Sequence, residues 1–206
     1  AAQDAFHGDT ILVAPGTYTE AIAYEGKRLV VMSSDGPEVT IITPLNADVP
    51  VVQMWDHEPE GSQLSGFTIT GGSESHLIKV GNSADVLITN NIFRDNDIGT
   101  NNIIWLGTSS ARITVERNLF YNNGGYSCVG VQYGTALIIN NTFYGNSGGV
   151  YEYDSEASEL LNNIIVNSTS RGIRGVFSVA DYNCVWQNNP NRSEEHTSEL
   201  QSRQSI

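Results

Sequence analysis

The densest chemistry in the chain lies in one short run, Tyr151-Glu152-Tyr153-Asp154-Ser155-Glu156. Side chains alternate along an extended strand, so the two tyrosines share one face and Glu152, Asp154 and Glu156 share the other. Three carboxylates on one face make a hard oxygen set of the kind that takes calcium. Beside a cation the same groups can grip a sugar, and Arg174 supplies the cation. Glu152 lies eleven residues after Asn141, and Arg174 eleven after Asn163. If the segments around those asparagines are equivalent neighbours, the two side chains stack about 4.8 Å apart. Glu152, Asp154 and Arg174 are therefore the candidate substrate-binding residues, and Glu152, Asp154 and Glu156 the candidate calcium ligands. The plainer reading is a strand-to-strand ion pair on a solvated sheet, worth about 0–1 kcal/mol.

Other reactive residues are sparser. Asp56-His57-Glu58-Pro59-Glu60 gathers ligand-type side chains around a single histidine. A metal centre demands defined spacing and geometry, so the expectation here is a solvated insertion. Asp85, Asp95 and Asp97 fall in or near turns and read as turn-forming. Polysaccharide hydrolysis needs carboxyl groups about 5–9.5 Å apart across the bond. No such pair is legible, no catalytic residue is assigned, and binding is favoured over catalysis. Trp55, Trp105 and Trp186, with Tyr121, Tyr126, Tyr133 and Tyr144, can stack on sugar rings wherever they are exposed. Cys128 and Cys184 occupy different phases of the repeat, which argues for two buried thiols rather than a disulfide.

What must position these residues is a recurring phrase. It reads Ile88-Thr89-Asn90-Asn91-Ile92-Phe93, Val115-Glu116-Arg117-Asn118-Leu119-Phe120 and Ile138-Ile139-Asn140-Asn141-Thr142-Phe143. Looser copies centre on Asn163 and Asn183, and an upstream copy puts Phe67 in the asparagine slot. The steps from Phe67 onward are 24, 27, 23, 22 and 20 residues. A period in this range means one structural unit per repeat, stacked on its neighbours. Apolar residues stand three before and two after every slot. A buried amide without partners costs about 1–3 kcal/mol, so Asn91, Asn118, Asn141, Asn163 and Asn183 should satisfy one another as a ladder. A second polar column follows at Asn96, Asn123, Asn146, Ser168 and Asn188.

Leucine-rich repeats use a similar phrase, but these copies favour Ile, Val and Phe and run into Gly, Asn and Ser rather than a helix. A propeller blade needs about 40 or more residues. Several short strands per repeat fit an all-β, single-stranded, right-handed parallel β-helix. Residues 1–6 read as the end of a helical segment capping the open end.

Composition narrows the partners. The chain has 206 residues, 39% of them apolar and only 16% charged, with a net charge of −13. That sign repels phosphate backbones and anionic lipid, so nucleic acid is excluded as a partner. No run approaches the roughly 20 apolar residues of a membrane span. Calcium is compatible with the charge, and no other cofactor is implied. A monomer is expected. The chain starts at Ala1 without a signal-peptide pattern, which reads as a clipped end.

Two resemblances go further than the physics. GDTILVAPGTYTE from Gly8, GPEVTIITP from Gly36 and LSGFTITGG from Leu64, with the asparagine phrases, resemble bacterial extracellular β-helix repeat proteins of the pectate-lyase-like superfamily. The resemblance implies the fold over roughly residues 1–190 and an exported, carbohydrate-rich setting, extracellular or at the cell surface. It carries no activity, since the superfamily holds lyases, hydrolases and adhesins. The hydrolase signatures Asn-Thr-Asp, Asp-Asp and Arg-Ile-Lys are missing from this sequence. Any enzyme here would be a polysaccharide lyase or glycoside hydrolase. The competing expectation is a non-catalytic surface, adhesion or spacer module. Separately, Arg192–Ser202 resembles the translation of a sequencing adapter, so 1–191 is read as the β-helix domain and 192–206 as a non-native or disordered tail.

Overall fold

The computed structural model describes residues 4–108, 111–153 and 157–189, and the backbone of Arg192–Ser193. The chain winds as a parallel β-solenoid in which every winding gives one strand to each of three eight-stranded sheets. The first sheet is built from Thr10–Val13, Val30–Ser33, Ser62–Ser65, Asp85–Thr89, Arg112–Glu116, Thr135–Ile139, Glu159–Leu161 and Val179–Asp181. The second holds Gly16–Thr19, Thr40–Thr43, Thr68–Ile69, Ile92–Arg94, Leu119–Tyr121, Thr142–Tyr144, Ile164–Val166 and Cys184–Trp186. The third holds Ile22–Ala23, Val52–Met54, Ile78–Val80, Asn102–Leu106, Ser127–Val131, Val150–Glu152, Ile173–Arg174 and Arg192–Ser193. A third strand in each winding, where a leucine-rich repeat needs a helix, removes that alternative. No helix among the described residues is long and apolar enough to cross a membrane.

Register follows the sequence columns. Leu64, Ile88, Val115, Ile138 and Leu160 pair in one file, and Ile69, Phe93, Phe120, Phe143 and Ile165 in another. All ten side chains are fully buried. Phe93, Phe120 and Phe143 stack with ring centroids 4.7 Å apart at each step. That distance is the strand spacing itself, so equivalent rings in successive windings meet face to face.

The asparagines sit at the corner between the first and second sheets. The residue before each one is left-handed: Asn90, Arg117, Asn140, Asn162 and Tyr182 have φ of 53–59°. Asn tolerates this conformation better than most residues, and the sharp corner turns the following amide inward. Asn118 shows the pattern. Its backbone N–H and Nδ2 both donate to Asn141 Oδ1, at 3.0 and 3.1 Å, and Nδ2 also donates to the carbonyls of Ile88 and Glu116. Asn91, Asn141 and Asn163 repeat it, ending on Asn183 Oδ1. The ladder starts on Phe67, whose N–H donates to Asn91 Oδ1 at 3.0 Å. The second polar column behaves alike, with Gly72 N–H donating to Asn96 Oδ1, Asn96 Nδ2 to Asn123, and Asn123 Nδ2 to Asn146.

Three expectations need correction or narrowing. The Asp56–Glu60 loop is not simply solvated: Glu58 is fully buried and accepts N–H bonds from Gly26 and Asp56. Its carboxylate ties the loops of two adjacent windings together, while His57 turns the chain at φ 66°. Cys128 is buried but Cys184 is exposed, and neither is in a disulfide. Of the cap segment, residues 1–3 lie outside those described, and Phe6 is 79% exposed rather than packed on the core.

Candidate functional site

Inward positions of the third sheet are mostly aliphatic: Ile78, Ile104, Val129, Val150 and Ile173 form one buried file. Alternation then sends the intervening residues outward. Read across the sheet, that outward file is Gln53, Lys79, Trp105, Gly130, Tyr151 and Arg174. It contains two cations and two aromatics and no carboxylate.

The rings lie close to the backbone because two positions lack a side chain. A Cβ on Gly81 would stand 2.4 Å from the Trp55 ring, and one on Gly107 2.2 Å from the Trp105 ring. With hydrogens there instead, the two indoles stack at 5.4 Å and 10°. His76 stacks on Trp105 at 4.9 Å. Lys79 holds its ammonium over both indoles, 4.9 Å from one centroid and 5.2 Å from the other. Such cation–π contacts are worth about 0.5–2 kcal/mol.

Further along the same face, Tyr126, Tyr151 and Tyr153 form a second aromatic group. The Arg174 guanidinium lies 4.3 Å over the Tyr151 ring and donates to the Tyr126 hydroxyl. Burial, with help from the neighbouring phenols, pushes the Tyr153 hydroxyl up to about 12, so it stays a neutral donor and acceptor. Asn102 lies between the two groups, its amide above Gly130 and its Oδ1 accepting from the Ser127 hydroxyl.

The sequence placed these residues in part. Tyr151 and Tyr153 do share a face. Arg174 pairs in register with Tyr151, however, not with Glu152. Glu152 is aligned with the core residue Val131, is 2% exposed and faces the interior. The cause is one residue: Val150 follows Asn141 by nine, whereas its partner Ile173 follows Asn163 by ten. A slip of one exchanges the faces of a strand. Asp154 and Glu156 lie outside the described residues. With Glu152 turned inward, the expected three-carboxylate face for calcium is not assembled by the described residues. Neither His76 nor Lys79 belongs to a motif that the sequence makes legible.

His76 gives this face a pH signature. Burial holds its imidazole below the ordinary 6.5, and the Lys79 ammonium pushes the same way against the opposing effect of Asn102. Asn102 N–H donates to His76 Nδ1 at 3.0 Å. A depressed value means the unfolded state binds the proton more readily once pH drops below 6.5. Stability is therefore expected to decline as pH falls through that point, and His76→Gln should flatten the decline. Urea midpoints measured on both sides of pH 6.5 decide it; equal slopes for both proteins would refute the assignment.

A family model described as NosD, periplasmic copper-binding protein, matches residues 23–201. No curated protein and no solved structure matches the chain. Copper favours thiolate, thioether and imidazole donors. Here Met54 lies in the core, Met32 is half-buried in the first sheet, Cys128 is buried with its thiol pushed well up by desolvation, and Cys184 is exposed in the second sheet while His76 lies just before a strand of the third. Among the described residues no three His, Cys, Asp or Glu side chains gather as a metal group. The described residues therefore do not fit a copper centre, although the repeat architecture and the length of the match leave the kinship plain: this chain belongs to the NosD family.

Proposed function

We propose that this β-helix repeat domain works outside the cytoplasm, in the periplasm or at the cell surface, by binding a polysaccharide along the outer face of the third sheet. The observation that carries the reading is the aromatic platform of Trp55, Trp105, Tyr126, Tyr151 and Tyr153 with Lys79 and Arg174 held over its rings. Sugar rings present apolar C–H faces to aromatics and hydroxyls to polar neighbours. Strands about 4.8 Å apart offer an extended glycan nearly one contact row per sugar. Binding, not bond cleavage, is proposed, because the described carboxylate of this region, Glu152, faces inward.

Glycan-array binding followed by titration tests it, with Tyr126→Ala/Tyr153→Ala and Trp105→Leu variants. Each is expected to weaken the affinity of a bound glycan by about tenfold or more. Unchanged affinity in both variants would sink the proposal. The spacer reading draws on the first sheet, whose outward file Gln63, Leu87, Thr114, Leu137 and Glu159 carries no aromatic side chain.

A further inference from the structure

The outer face of the second sheet differs from the rest of this acidic molecule. Two outward files flank the buried phenylalanine column. One is Ile92, Leu119, Thr142, Ile164 and Cys184, and the other is Arg94, Tyr121, Tyr144, Val166 and Trp186. From Leu119 to Trp186 these eight outward positions hold no acidic or basic side chain. Several are well exposed: Tyr144 51%, Ile164 46% and Trp186 59%. Tyr144, Ile164 and Trp186 are close neighbours on this face rather than hydrophobics scattered singly.

Its dimensions select the kind of partner. Four strands span about 14 Å along the rod, and two outward residues span about 7 Å across it. A lasting protein interface buries about 800 Å² on each side, several times this footprint. The strip alone therefore falls short of what a lasting interface with a second copy or another globular protein needs. A narrow ligand lying along the rod fits. Tyr121, Tyr144 and Trp186 stand in one file, with Val166 between the last two, and the Thr142 and tyrosine hydroxyls lie beside them. Without a charge on the strip, an ionised ligand gains no partner for its desolvated groups.

We infer that the outer face of the second sheet, from Leu119 to Trp186, is a separate binding face for an uncharged linear polysaccharide. It rests on different residues from the third-sheet platform and stands or falls independently of it. The two faces belong to different sheets of one rod, so both can be occupied at once.

Native affinity electrophoresis of the full chain in gels containing hydroxyethylcellulose, glucomannan or soluble amylose tests the inference. The wild-type chain is expected to be retarded by at least one of them. Tyr144→Thr/Trp186→Thr should weaken that retention about tenfold or more, and Tyr144→Phe/Trp186→Tyr should retain it. Both positions face solvent, so the melting midpoint should stay put; should the polar pair unfold, Tyr144→Thr alone carries the test. No retardation of the wild type by any of the three polymers, or equal retardation of the polar variant, overturns the inference. Loss only in the Trp105→Leu or Tyr126→Ala/Tyr153→Ala variants overturns it too, while leaving the third-sheet proposal intact. Loss only in the second-sheet pair does the reverse.

Discussion

Asn118→Ala is expected to destabilise the fold by about 3–5 kcal/mol, the cost of leaving several buried polar groups without partners. Removing the amide strands the backbone N–H of Asn91 and takes one acceptor from its Nδ2, which keeps the Leu64 and Thr89 carbonyls. It also strips a donor from the carbonyls of Ile88 and Glu116 and from Asn141 Oδ1. Two companion variants separate this from mere loss of volume. Asn118→Asp keeps the shape but puts an acceptor where Nδ2 faced three oxygens, so it should be at least as damaging as alanine. Asn183→Ala, at the end of the ladder, should cost less, because Asn183 is only half-buried and water can reach the groups it leaves behind, whereas Asn118 is buried. Urea unfolding gives all three numbers. A well-tolerated Asn118→Asp would mean that the ladder's donors contribute little.

Phe120→Ala should cost about 3–5 kcal/mol, as expected for emptying an aromatic site in a packed core. Its ring is fully buried between Phe93 and Phe143, 4.7 Å from each. The loss breaks the stack on both sides and opens a void between three windings that the strand spacing prevents from closing. Tyr121 is the next residue and faces outward, so Tyr121→Ala should stay within about 0.5 kcal/mol of the wild type. Thermal or urea unfolding of the pair measures the contrast. Similar losses at 120 and 121 would show that the facing of the second sheet is wrong, and with it the apolar strip.

The corner asparagines explain why so much of the core was readable. Everything within about five residues of a ladder asparagine is phase-locked to it, because both the left-handed corner and the buried amide have fixed geometry. Ile88, Phe93 and Asn96 hold the same offsets from Asn91 as Val115, Phe120 and Asn123 hold from Asn118. Their strands, columns and hydrogen bonds came out as the spacing requires. Glu58 was not readable: its burial depends on backbone N–H groups from Gly26, a full winding earlier in the chain.

The third sheet lies across turns of unequal length. Its inward residues Ile104, Val129, Val150 and Ile173 follow their asparagines by 13, 11, 9 and 10 residues. Counting residues across such turns cannot say which side chain faces out, since one residue more or less reverses the answer. The amino-acid sequence by itself determined the solenoid, its buried amide file and the facing of the second sheet, because local corner geometry and side-chain alternation act over a few residues. Only the tertiary structure decided that Glu152 turns inward, that Arg174 covers Tyr151, and that Trp55, His76, Lys79 and Trp105 meet. Strand pairing between windings sets those contacts, and it absorbs whatever length the intervening loop happens to have.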